Sequence, residues 1–556
     1  MAEKKVQDAI VVGSGAAGGM AAKQLCEKGL KVLLLEAGRT INPSKDFIHH
    51  KWPYDFKYRG KLSPSKAPFL PYTADAWTEH LYANLSDHPY TTEPGKPFVW
   101  VRLRAVGGKT LIWGRVSLRM SDLDFKAKSH DGYGDDWPIS YKAIAPYYDL
   151  VESMVGISGN ADHISHLPDG KFLPPVPMNC GEHILKKGCE KLGRRLINNR
   201  CAVITRDYNG RQACHWCGYC GRGCDSNSMF NSLAVTLPMA MKTGNLTLRP
   251  NSVVRQVLVD PHTGKAGGIG FFDANTKQYV EAHSKLVVLG ASTLESTRIM
   301  LNSISTQYPN GIANSSGVLG HYFIEHIMGS GAVGLAPTLK GKRIENEDGR
   351  PIGTYIPRFR NVNTREKQFL RGYAFQCNSG AGLFPGTAKE VPGFGADLKS
   401  AIRNNYPALV SMGGFGEVLA RYDNHVSIDK NRLDPWGIPV LKMHVAYGEN
   451  ERAMSRDIAD TAEEIMRAAG IEILVRNRAL RTPGWSIHEL GTARMGNDPK
   501  TSVLNTFCQA HDVKNLFVVD GSCFVSASNQ NPTLTIMALC ARACDYIAEE
   551  YKAGRL

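Results

Sequence analysis

Apolar residues run without interruption through DAIVVG (residues 8–13) and again through KVLLLEAG (31–38). Runs of this kind predict strands buried on both faces, because alternation is needed only where one face meets water. Between them a Gly-rich turn leads into a helix that reaches about Lys28 and stops at Gly29, so the chain opens on a β-α-β unit. From 40 to 100 it is rich in Pro, Tyr, Lys and Trp without a clear period, which predicts loops and short elements. VRLRAVGGKTLIWGRVSLRM (101–120) has a Gly-rich centre, and DWPISYKAIAPYYDLVESMVG (136–156) predicts a helix after Pro138. HILKKGCEKLGRR (183–195) predicts another helix. LTLRPNSVVRQVLVD (246–260) and KLVVLGAS (285–292) predict strands, the latter followed by a helix after Thr293.

The texture changes between about 330 and 480, where alternating segments such as HVSID and PVLKMHVAY surround one helix, 449–470. Alternation predicts antiparallel strands with one wet face. Buried-strand texture then returns with NLFVVDGS (515–522), followed by a helix over 532–552. There is no internal repeat and no low-complexity linker. The expectation is an α/β (α+β) chain. A Rossmann-like nucleotide domain is split into 1–330 and 485–556, around a substrate domain, 331–484, built on an antiparallel sheet.

A chain of 556 residues is too long for one core, and 43% hydrophobic with 21% charged residues is ordinary for a soluble protein. No apolar run approaches the length of a membrane span. The start, MAEKKVQDAIVVGSG, enters the first strand too early for a secretory signal. The expected location is therefore cytoplasmic, or periplasmic by co-export with a signal-bearing partner. The net charge of +14 suits attraction to an acidic electron carrier or subunit. The basic residues are dispersed, with no run and no aromatic platform, so nucleic acid is not an expected partner.

Gly13-Ser-Gly15-Ala-Ala-Gly18 lies between strand and helix, with Glu36 ending the second strand. The first Gly permits the tight turn, the second lets a pyrophosphate approach the backbone, and the third lets helix and strand pack closely. The helix N-terminus offers free N–H groups to phosphate, and Glu36 can accept from a ribose. The fingerprint alone does not separate FAD from NAD. Near the other end, His488 opens HELGTARMGNDP, and Asn531 directly precedes a proline that starts a helix. A His with a pKa near neutrality can take an alcohol proton while a hydride leaves the carbon. Asn531, at a helix N-terminus, sits where negative charge is stabilised. Singly, each has a plain structural alternative: a packed His and a helix cap.

Together these segments resemble the glucose–methanol–choline (GMC) oxidoreductases over nearly the whole chain: VVGSGAAG with LLLEAG, AVGGKTLIWG at 105–114, LGAST at 289–293, HELGTARMG at 488–496, and VVDGS with NPTLT at 518–535. The nearest branch looks like bacterial FAD-dependent glucoside 3-dehydrogenases and pyranose oxidases. The resemblance implies a Rossmann-like FAD-binding domain and a His488–Asn531 pair facing the flavin. It places Gly107, Gly108 and Thr110 at the isoalloxazine approach and Val254 at the adenine. Asp520, Gly521 and Thr533 fall on the phosphate and ribitol side. Where pyranose oxidases often attach flavin through a His, this chain has Ile112, so the FAD is expected to be non-covalent.

CHWCGYCGRGC spaces Cys214, Cys217, Cys220 and Cys224 as an iron–sulfur run would, and the expectation is a 3Fe-4S or 4Fe-4S cluster. Zinc is the alternative, since four thiolates also make a tetrahedral site. Asp225 stands where ferredoxins usually have Pro, consistent with one Cys not ligating. His326 is read as structural, with a substrate-facing role as the alternative. Trp113, Trp436 and Trp485 are read as packing, His215 as a neighbour of the cluster, and Cys540 and Cys544 as core. The expected activity is oxidation of a secondary hydroxyl of a pyranose or glycoside, C3 favoured, with electrons passed to a small subunit and a cytochrome c. The rivals are an O2-using oxidase with a structural cysteine cluster and a non-catalytic subunit with a vestigial flavin site.

Overall fold

The computed structural model describes residues 6–343, 349–380 and 391–556. The two opening apolar runs are neighbouring parallel strands, Gln7–Val12 and Val32–Leu35, with Ile10 opposite Leu33. Strand Leu246–Arg249 extends this sheet on one side; Tyr279–Leu289 and then Leu516–Val518 extend it on the other, all parallel. The last strand arrives from the far end of the chain, with Val288 opposite Phe517. Tyr279–Leu289 serves two pairings. Its second half lies in the parallel layer, and its first half pairs antiparallel with Ala266–Asp273, which pairs with Ser252–Val259.

Helix Ala16–Glu27 covers this sheet and is buried from Ala17 to Cys26. Its small residues let it lie close to helix Thr533–Lys552, whose Cys540 thiol donates to the Ala17 carbonyl at 3.3 Å. Cys540 and Cys544 are buried core residues.

The second large sheet is antiparallel. Its order is Glu472–Asn477, Gly331–Leu335, Leu409–Glu417, Tyr373–Ser379, Thr354–Ile356 and Ile197–Asn198, with His326–Ile327 also pairing Leu409–Glu417. It therefore draws two short strands, 197–198 and 326–327, from chain preceding residue 331. Helix Glu449–Ala468 buries Met454, Ile458, Ala462 and Ile465 against it. Helix Cys180–Lys191 lies beside that helix, capped by Asn179, which accepts from the Glu182 N–H at 3.0 Å. The alternating segments His425–Leu433 and Pro439–His444 pair with each other as alternation predicts. They join Thr91–Thr92 in a separate three-stranded sheet rather than the second large one. Among the described residues no helix is long and apolar enough to cross a membrane.

Candidate active site

A half-open cleft runs from the first β-α turn to the loops that carry His488 and Thr533. Gly13 has φ +91°, and a Cβ on Gly18 would lie 1.7 Å from the Gly13 carbonyl oxygen, so both positions are closed to side chains. A Cβ on Gly15 would meet no protein atom within 4 Å. The structure thus keeps open space over the middle glycine, at the N-terminus of helix Ala16–Glu27, where a pyrophosphate can sit. Glu36 faces the same cleft. Its carboxylate accepts from the Ser14 hydroxyl at 2.6 Å and from the Gly38 N–H at 2.8 Å, while burial pushes its pKa up. Val254 lines the wall near Glu36, and Gly108 and Thr110 line the cleft farther on. Gly107 stands behind it with φ +103°, its N–H donating to Ser14 at 3.0 Å. Asp520, Gly521 and Thr533 also line the cleft. Asp520 is held by the hydroxyls of Ser296 and Ser522 at 2.5 and 2.6 Å. Glycine clearance, acidic partner and continuous lining fit a bound FAD. Ile112 does not line the cleft and packs instead against the Ile41, Phe47 and Leu81 cluster.

The structure brings His488 and Asn531 together, the His488 Nε2 lying 3.4 Å from the Asn531 Nδ2. Asn531 comes just before helix Thr533–Lys552, with Pro532 at the cap. Its carbonyl accepts from the Gln376 amide at 2.9 Å, which turns its NH₂ toward the histidine. His488 follows Ile487, a β-branched residue at φ +61°, and Ser292 (φ +83°), also on the cleft wall, is a second side chain held in the left-handed region. Such backbone strain persists only where the surrounding structure enforces it. The His488 N–H donates to Ser486 at 3.3 Å, and Ser486 donates to the buried Glu325 at 2.8 Å. Glu325 also accepts from the Gly484 N–H and the Tyr447 hydroxyl, and burial pushes its pKa up to about 7.

The expected near-neutral pKa of His488 is corrected here. Burial, then His326, then the Lys109 ammonium hold it well below its ordinary value, so His488 is neutral through the physiological range. His326, read as structural from sequence, lies in the site, its Nδ1 3.0 Å from the Nδ1 of His488. Not singled out from sequence were Gln376, the Lys109–Glu489 ion pair, 2.8 Å long, and the arginine group Arg102, Arg104 and Arg298 around Glu295. Lys109 and Glu489 lie inside AVGGKTLIWG and HELGTARMG, but their pairing across 380 positions has no local signal; Gln376 and the three arginines lie outside the motifs. Trp113 lines the cleft and donates to the Phe230 carbonyl at 2.9 Å. Trp436 stacks on His88, and Trp485 stacks on Tyr72 with ring centroids 3.4 Å apart.

Cys214, Cys220 and Cys224 pack around one small cluster with Cys201, Val203 and Met229. The Trp216 N–H donates to the Cys214 sulfur at 3.4 Å and the Met229 N–H to the Cys224 sulfur at 3.5 Å. Among the described residues, however, no three His, Cys, Asp or Glu side chains are arranged to hold a metal ion. The four thiols as placed do not form a ready metal centre. His215 is largely exposed and faces Asp225 at 3.7 Å.

Models of the GMC oxidoreductase family match residues 7–328 and 420–540. The chain is 31% identical to 2-methyl-1,2-propanediol dehydrogenase of Mycolicibacterium austroafricanum, covering 98% of this chain and 95% of that protein. It is 28% identical to the fructose dehydrogenase large subunit of Gluconobacter japonicus, covering 98% of each. The fold is shared with pyridoxine 4-oxidase from Mesorbium loti at a TM-score of 0.63 and 17% identity, over 98% of this chain and 99% of that one. With matched models over most of its length and the His488–Asn531 pair at the end of a dinucleotide cleft, the chain belongs to the GMC oxidoreductases, FAD-dependent enzymes acting on CH–OH groups.

Proposed function

We propose that this protein oxidises a secondary hydroxyl of a pyranose sugar or glycoside, C3 favoured, to the 3-keto sugar. The observation that carries the chemistry is the His488 Nε2 facing the Asn531 NH₂ at the cleft. His488 enters neutral, so its Nε2 can take the hydroxyl proton, while the Asn531 NH₂ donates to the hydroxyl oxygen and orients the C–H bond. The open turn at Gly15, Glu36 and the cleft lining would hold FAD, which when bound would supply the hydride acceptor. The likeness to a fructose dehydrogenase subunit supports a sugar donor; the likeness to a diol dehydrogenase makes a small vicinal diol the competing donor.

The test is stopped-flow reduction of the FAD-loaded protein by methyl glucoside, fructose and 2-methyl-1,2-propanediol. Fast reduction by the glucoside, with a primary isotope effect from deuterium at C3 and none at C2, is expected. Reduction by the diol alone would overturn the sugar reading. His488→Ala should slow reduction by about 10² to 10⁴, the usual contribution of a general base. Asn531→Ala should slow it while keeping the wild-type pH profile, because an amide does not titrate.

For the onward electrons we propose an iron–sulfur cluster on Cys214, Cys217, Cys220 and Cys224, supported by their spacing and by the packed cluster in which three of them lie together. The thiols must draw together to bind it. Iron and acid-labile sulfide in anaerobically prepared protein, lost in Cys217→Ser, are the expected result; stoichiometric zinc without iron overturns it. The same reading makes this a dehydrogenase that serves a small subunit and a cytochrome c, in the cytoplasm or co-exported. Oxygen uptake matching substrate turnover would make it an oxidase instead.

A further inference from the structure

His326 lies in the two-residue strand His326–Ile327, opposite Glu417 and Gly416 of the central strand of the antiparallel sheet. It is 1% exposed. Its ring stands edge-on to His488, centroids 4.9 Å apart and planes at 83°, and the two rings meet Nδ1 to Nδ1 at 3.0 Å. Two ring nitrogens at that distance share one hydrogen, so one histidine donates and the other accepts.

The rest of the site decides which. Gln376 donates to the Asn531 carbonyl, so Asn531 turns its NH₂ toward the His488 Nε2. A nitrogen that faces a donor must present its lone pair. His488 therefore carries its hydrogen on Nδ1, and the Nδ1 of His326 accepts it. The hydrogen of His326 then lies on its Nε2. That atom is enclosed and makes no close hydrogen bond. Burial pushes the pKa of His326 down to about 4, so it remains a neutral acceptor through the working range. The charged groups nearby do not substitute for it. Lys109 is paired with Glu489, and the Glu325 carboxylate is occupied by Gly484, Ser486 and Tyr447.

We propose that His326 is a positioning residue that fixes His488 as the Nδ1–H tautomer, with the Nε2 lone pair aimed at the substrate hydroxyl. It does so as an uncharged acceptor, where many enzymes place a carboxylate behind the imidazole. The proton gained by His488 is then held loosely and returned readily. The inference rests on His488 as the base.

Histidine-selective ¹⁵N NMR of the FAD-loaded wild-type protein tests the tautomer directly. His488 should show a pyrrole-type Nδ1 and a pyridine-type Nε2; the reverse assignment overturns the proposal. Among variants, His326→Phe should lower flavin reduction by on the order of 10- to 100-fold, through loss of the correct tautomer. His326→Gln, whose side-chain oxygen can accept, should recover the rate to within a few-fold. His326→Asp should move the acid limb of the pH–rate profile upward by at least about one unit, as a carboxylate stabilises the imidazolium. Equal losses in the Phe and Gln variants, with no movement of the profile in the Asp variant, would make the role merely structural and overturn the proposal. If His488→Ala reduces its flavin at the wild-type rate, the reading of His488 as base fails, while the NMR assignment still judges the tautomer.

Discussion

Glu325 and His326 are adjacent in sequence, and burial drives their proton equilibria in opposite senses. The pKa of Glu325 is raised from its ordinary 4.5 to about 7. It holds a proton in the folded state that the unfolded chain gives up near pH 4.5. Its contribution to stability is complete below that value and is lost as the pH climbs through about 7, an effect on the order of 3 kcal/mol. His326 behaves conversely, its pKa lowered from 6.5 to about 4, and contributes stability above 6.5 that is lost as the pH falls through about 4. Thermal melts of Glu325→Gln between pH 4 and 8 should lose much of the decline that the wild type shows on the alkaline side. Parallel curves for the two proteins would show that Glu325 does not titrate in this window.

At the scale of the element, the first β-α turn separates holding the fold from holding the cofactor. Gly15 is an ordinary backbone at φ −71° with open space where a side chain would go, whereas Gly18 abuts the Gly13 carbonyl. Gly15→Ala should melt within a degree or two of wild-type apoprotein and yet bind FAD far more weakly. Gly18→Ala should lower the melting temperature by several degrees, because helix and strand are forced apart. Flavin fluorescence and differential scanning calorimetry separate the two outcomes. This turn was legible in the sequence because its physics is local: spacing, buried strands and an acidic residue lie within one β-α-β unit. His488 and Asn531 were legible because each sits in a compact segment. His326 was legible only as an alternative to packing, and Gln376 not at all. Their places come from pairings with residues 416–417 and 413, some 90 and 37 positions away, and neither strand carries a local mark of the chemistry it serves. The hairpin of His425–Leu433 and Pro439–His444 was legible as strands, but its joining Thr91–Thr92 depends on packing across the molecule.

For the whole molecule, the excess of 66 basic over 52 acidic residues is spread along the sequence rather than gathered in a tract. Under the proposed role as an electron donor to an acidic carrier, that excess speeds encounter by long-range attraction. The second-order rate of carrier reduction should fall as salt is raised from about 10 to 300 mM, where the screening length shrinks from about 30 Å to under 10 Å. Flavin reduction by a neutral sugar should stay constant over the same series. A carrier rate indifferent to salt would remove the electrostatic argument for such a partner.

The parallel sheet is completed by Leu516–Val518, and the last long helix lies against the helix that follows the first strand. On the ribosome, then, the opening β-α-β unit has its strand edges covered by Leu246–Arg249 and Tyr279–Leu289 about midway, but the outer face of its helix and the free edge of Tyr279–Leu289 must wait for almost the entire polypeptide. Both the histidine of the pair and the asparagine arrive in that final stretch. Cofactor capture is in this sense a post-translational event, and a chain stalled short of residue 516 would be left with an exposed sheet edge of the kind chaperones recognise.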